Sequence, residues 1–74
     1  MTIQPHASVV YAVERVKRGD NEVIVYEGSN KSYYVRLPSD DKPINSSIYA
    51  VAQRWNNKTI QVRYKNAYSE FIND

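Results

Sequence analysis

Ser46–Lys65, SSIYAVAQRWNNKTIQVRYK, is the stretch whose reading decides the fold. Ile48, Val51, Ala52 and Trp55 recur at i, i+3, i+4 and i+7, with Gln53, Arg54, Asn56 and Asn57 opposite them, which predicts a short amphipathic helix. Asn45, Ser46 and Ser47, just before it, are competent N-caps. From Thr59 the period changes to two: Ile60, Val62 and Tyr64 alternate with Gln61, Arg63 and Lys65, as a half-buried strand requires. The same residues admit a second reading, with IYAVAQRW as a strand and Asn56-Asn57 as a hairpin turn into KTIQVRYK. The helix, supported by its caps, is the basis of the architecture expected below.

Working outward toward the N-terminus, Met1–Ala7 shows neither period and predicts a flexible leader. Ser8–Arg18, SVVYAVERVKR, is rich in β-branched and aromatic residues and reads as a strand, with Val9, Tyr11 and Val13 on one face and Val10, Ala12 and Val16 on the other. Gly19, Asp20 and Asn21 then predict a turn, EVIVYE a second strand, Gly28-Ser29-Asn30 a further turn, and KSYYVRL a third strand. In that third strand Tyr33, Val35 and Leu37 oppose Tyr34 and Arg36. PSDDKP, Pro38–Pro43, is a connection too short for a domain linker. Beyond Lys65, Tyr68, Phe71 and Ile72 predict either a last short element or an interface.

The expectation is one domain over residues 8–74, mostly β with one short α-helix: a small OB-like antiparallel β-barrel, its fifth strand supplied by the tail or by a split first strand. With 74 residues the core is thin, and the absence of cysteine, with one histidine in the leader, excludes disulfides and histidine or thiolate metal sites as its support. Self-association, a homo-oligomer, is the remaining device. No run approaches the length of a membrane span, and MTIQPHAS lacks the regions of a signal peptide. Net charge is +2, but residues 42–69 carry Lys42, Arg54, Lys58, Arg63 and Lys65 and no acid. That run is either a solvated face or a polyanion-binding one.

Ser47, Ile48, Tyr49, Ala52 and Trp55, followed by a turn and by Ile60, Val62, Arg63 and Tyr64, resemble the helix-to-strand segment of bacterial toxin B subunits of the subtilase-like and pertussis-like kind. The resemblance covers roughly a quarter of the chain. It implies an OB-fold protomer in a homopentameric ring, secreted, with cell-surface glycans as ligands. The chain departs from those subunits in its missing cysteine pair, absent signal peptide and shorter length, and no sugar-binding residue carries over position by position. Read as complete, a cysteine-free chain of this kind suits the cytoplasm instead.

The aromatic residues are the compositional outlier, with seven tyrosines, one tryptophan and one phenylalanine. Strand alternation and the expected helix place Tyr33, Tyr64 and Trp55 in the core and leave Tyr34 outside beside Arg36. A strand-borne ring next to a guanidinium suits a sugar face, a nucleobase or a protein interface. The candidate ligand-binding residues are therefore Tyr34, Arg36, Arg54, Arg63 and Lys65, with a glycan expected by resemblance. The alternatives are a single-stranded nucleic acid stacked on Tyr34 with the cations on phosphates, or a protein-interaction or inhibitor module. No catalytic residue, metal or cofactor is expected: His6 stands in the leader, and the adjacent Asp40 and Asp41 have no glycine-rich phosphate loop beside them. Arg18-Gly19-Asp20 spells an integrin-binding tripeptide at an expected hairpin turn, and ordinary turn chemistry explains it. The glycosylation-type motifs at Asn30, Asn45 and Asn57 read as caps and turns in the same way.

Overall fold

The computed structural model describes residues 5–28, 32–36 and 47–73. One helix, α1 (Pro5–Lys17), precedes five strands: β1 (Glu22–Glu27), β2 (Tyr33–Arg36), β3 (Ser47–Asn56), β4 (Thr59–Tyr64) and β5 (Ser69–Asn73). Every neighbouring pair is antiparallel, and the order across the sheet is β2-β1-β3-β4-β5. The chain is thus mostly antiparallel sheet with one helix. Its edge strands, β2 and β5, do not pair, so the sheet is open and the expected OB-like barrel is not closed by the described strands.

The helix lies elsewhere than the sequence reading puts it. Residues 48–55 are not helical but belong to β3, the central and longest strand, so the alternative reading of that stretch describes it better. Residues 8–17, read as a strand, are helical, and α1 also takes in residues 5–7 of the expected leader. Both segments carry apolar residues at i, i+3, i+4 and i+7, so this period alone does not separate them. In α1 the four are Val9, Ala12, Val13 and Val16, all buried, and Glu14, Arg15 and Lys17 are good helix formers around them. Burying a valine side chain contributes about 1.5 to 3 kcal/mol. In β3 the neighbours decide: EVIVYE on one side and TIQVRY on the other each offer a ladder, and a helix there would leave the facing edge of each without one.

Two end signals fix α1. Pro5 suits a first helical position, where the missing N–H loses no bond. At the other end the Asp20 N–H donates to the Arg15 carbonyl (3.2 Å), the Gly19 N–H donates to the Val16 carbonyl (3.1 Å), and Gly19 takes a φ of +125°, completing a Schellman stop. Arg18-Gly19-Asp20 is therefore a helix C-cap leading into β1 rather than a hairpin turn. The Asp20 carboxylate accepts from Arg15 Nε at 2.9 Å and raises the guanidinium pKa.

Pairing register sorts the sheet into two faces, because residues directly opposite share a side. Val23, Ala52 and Val62 form one row under the helix, and Val35, Val25 and Ala50 lead to Tyr64 in the next. Ala50 and Ala52 at the centre of the sheet let α1 approach closely, and the core is the layer between them and the helix. Tyr33 and Tyr64 lie on this side half-buried, in part as expected. Trp55 does not: it is 57% exposed, set at a register irregularity between Arg54 and Asn56. The tail forms β5, with Ile72 packed against the core and Tyr68 and Phe71 exposed. Leu37, the Pro38–Pro43 connection, the caps Asn45 and Ser46, the Ser29-Asn30 turn and the first four leader residues lie outside the described residues.

Candidate functional site

Among the described residues, the face of the sheet away from α1 has no element packed on it. Its rows follow from the ladders: Tyr34, Tyr26 and Ile48; then Arg36, Ile24, Val51, Arg63 and Ser69; then Glu22, Gln53, Gln61 and Phe71. At one corner Tyr34 stacks on Tyr26, with ring centroids 6.2 Å apart and planes 20° from parallel. Tyr26 is only 2% exposed, and its hydroxyl accepts from Arg36 Nη1 at 3.1 Å, so that corner is preorganised. At the opposite corner the Trp55 and Phe71 rings meet edge to face at 5.3 Å, and both are more than half exposed.

Between the ring pairs lies a polar strip. Arg63 Nη2 donates to Gln53 Oε1 at 3.0 Å, and Gln53 Nε2 donates to Gln61 Oε1 at 3.4 Å, so each group orients the next. Beside Arg63, Ile48, Val51 and Tyr68 line a shallow depression of about 290 Å³. Trp55 adjoins the β3–β4 turn at Asn57-Lys58, which is pinned by the Lys58 N–H donating to Asn56 Oδ1 at 2.9 Å. That turn carries the Asn57 motif.

Of the five residues expected to bind ligand, the fold brings together three: Tyr34, Arg36 and Arg63 share the helix-free face. Arg54 points to the other side, where its Nη2 donates to the Val16 carbonyl at 3.3 Å and satisfies the end of α1. Lys65 is also apart, paired with Glu27 and lying over the Tyr49 ring. Trp55, Phe71, Gln53 and Gln61 were missed. In β3 the alternation of Ala50 and Ala52 against Val51 and Gln53 carries the signal for Trp55, since it follows Gln53 at the strand spacing.

On the helix side, beyond the end of the core, Tyr33, Tyr49, Tyr64 and Tyr68 form a chain of ring contacts with centroids 5.0, 5.8 and 5.6 Å apart. Acids and a cation lock it. Tyr64 Oη donates to Glu70 Oε1 at 2.9 Å, Tyr33 Oη donates to Glu27, and Lys65 pairs with the same Glu27. Burial first, then the neighbouring carboxylate, raises the pKa of both Tyr33 and Tyr64. The hydrogen bond to Glu27 raises that of Lys65. The cluster is a structural lock for the β1 and β4 ends, with its polar groups turned on one another.

Comparison of the chain and its structure with protein families, curated proteins and solved structures found no match. The helix-to-strand segment that resembles toxin B subunits is a β3–β4 hairpin. No helix among the described residues is long and apolar enough to cross a membrane.

Proposed function

We propose that the protein is a non-enzymatic binding module that takes a single-stranded nucleic acid on the helix-free face of its sheet. The observation that carries this is the placement of two ring pairs, Tyr34–Tyr26 and Trp55–Phe71, on either side of Arg36, Arg63 and the Gln53–Gln61 amides on one face. The edge strands β2 and β5 lie roughly 19 Å apart, four inter-strand spacings, so Tyr34 and Phe71, at opposite corners, are separated by more than that, enough for more than one base to stack along the path. Arginines between the rings meet phosphates, and the amides supply hydrogen bonds without demanding one base. Among the described residues, Glu22 is the one acid in the ladder rows of that face, against Arg36 and Arg63.

Trp55 is the sole tryptophan and reports binding directly. Titration with single-stranded oligonucleotides at low salt should quench its fluorescence, and binding should weaken steeply as salt rises. Arg63→Ala should reduce the slope of log K against log salt by about 0.7, the value for one phosphate on a single strand. Phe71→Ala and Tyr34→Ala should each cost about 1 to 3 kcal/mol of binding. Absence of quenching and of any change in oligonucleotide anisotropy at low salt would end this reading. The glycan reading predicts the contrary pattern: binding on a glycan array that persists at high salt and is lost in Tyr34→Ala.

A further inference from the structure

We infer that β5 is a self-pairing edge, and that two copies of the chain join through it, antiparallel about Phe71, into one continuous sheet. β5 is a sheet edge with a regular ladder on its inner side only. The Tyr64 N–H donates to the Tyr68 carbonyl at 2.8 Å, so hydrogen-bonded pairing alternates onward through Val62–Glu70 and Ile60–Ile72. The backbone groups of Ser69, Phe71 and Asn73 consequently point outward from the sheet. A second strand can pair with them without disturbing any bond to β4.

β5 also lacks the usual protections of an edge. SEFIN contains no proline, lysine or arginine, its ladder shows no bulge, and its one acid, Glu70, faces the helix side and accepts from the Tyr64 hydroxyl. The opposite edge, β2, is shorter and carries Arg36.

Sequence and register together specify a second copy as the occupant. Antiparallel pairing centred on Phe71 sets Phe71 against Phe71, Ser69 against Asn73, and Glu70 against Ile72, so no like charges meet across the seam. On the helix-free face it joins the two Trp55–Phe71 pairs into one run of four rings, covering side chains that are 57% and 56% exposed. On the helix side a groove of about 210 Å³ runs between α1 and β5, lined by Val10, Val13 and Ile72 together with Glu14, Lys17 and Glu70. The second copy's Glu70, opposite Ile72, stands at this groove, whose lining offers Lys17 as well as Glu14. The dimer does not rest on the nucleic-acid reading and is tested in its absence.

Sedimentation of the whole chain should show a dimer of twice 8.6 kDa with a micromolar dissociation constant, as befits a small interface. Hydrogen exchange should show the amides of Ser69, Phe71 and Asn73 gaining protection as concentration rises, with those of Glu70 and Ile72 protected throughout. Phe71→Lys, which sets two cations opposite each other, should weaken dimerisation about tenfold or more, and Phe71→Leu should preserve it. Asn73→Pro removes one outward N–H and leaves the bonds to β4, so it should weaken the dimer with circular dichroism unchanged. A monomer at hundreds of micromolar, a dimer indifferent to Phe71→Lys, or protection gained at Tyr33–Arg36 instead would overturn the assignment.

Discussion

Gly19 does more for the fold than any other single residue without a side chain to pack. Its φ of +125° lies where L side chains are rarely found, and it lets the Asp20 N–H turn back onto the Arg15 carbonyl. No atom stands within 4 Å of where a Cβ would be, so the cost of adding one is conformational alone. Gly19→Ala should therefore destabilise the protein by about 1 to 3 kcal/mol in urea unfolding, with no change in the packing of Val16. A loss below a few tenths of a kcal/mol would mean that the cap relaxes into an ordinary helical end. Arg54 acts at the same place from the opposite side. Its bond to the Val16 carbonyl ties this cation, grouped by sequence with the candidate ligand-binding residues, to the end of α1.

Among the elements, α1 and β3 show why part of the fold was legible in the sequence and part was not. β1, β2 and β4 were readable as short β-branched and aromatic runs next to turn formers: EVIVYE is an apolar run between carboxylates, and YYVR and TIQVRY alternate. SVVYAVERVK and SIYAVAQRWN fit both periods. Helix formers and a glycine stop settle the first, whereas long-range pairing on both edges settles the second. The candidate site divided along the same line: Tyr34, Arg36 and Arg63 sit on strands read correctly, while Trp55 was buried in expectation by a helix that is a strand. The consequence for packing is testable at Ala52. It is 1% exposed in the middle of β3, under the helix, in the row of Val23 and Val62. Ala52→Leu adds volume where there is none, and should cost about 1 to 3 kcal/mol by pushing α1 off the sheet. Were α1 free to tilt and make room, the same substitution would be nearly neutral. Thermal unfolding of Ala52→Leu separates the two.

For the whole molecule, the open sheet is held at one end by the hydrophobic layer under α1 and at the other by the tyrosine chain with Glu27, Lys65 and Glu70. This second lock makes stability depend on alkaline pH. Tyr33, Tyr64 and Lys65 all have folded-state pKa values raised above their ordinary 10.0, 10.0 and 10.5, so in that range the folded state holds protons that the unfolded state releases. The stabilisation is fully present below the ordinary values and is lost as pH climbs through the raised ones. Through these three groups unfolding midpoints should accordingly be independent of pH near neutrality and fall progressively above about pH 10. Tyr64→Phe keeps the ring contacts to Tyr49 and Tyr68 and removes the phenolic proton donated to Glu70. In that variant the slope of stability against pH above about 10 should become shallower, because one fewer raised group links unfolding to proton release. Urea unfolding across the alkaline range, with phenolate absorbance followed in parallel, measures both quantities. If Tyr64→Phe leaves the slope unchanged, the tyrosine chain is only a row of packed rings and the hydrophobic layer alone holds the sheet.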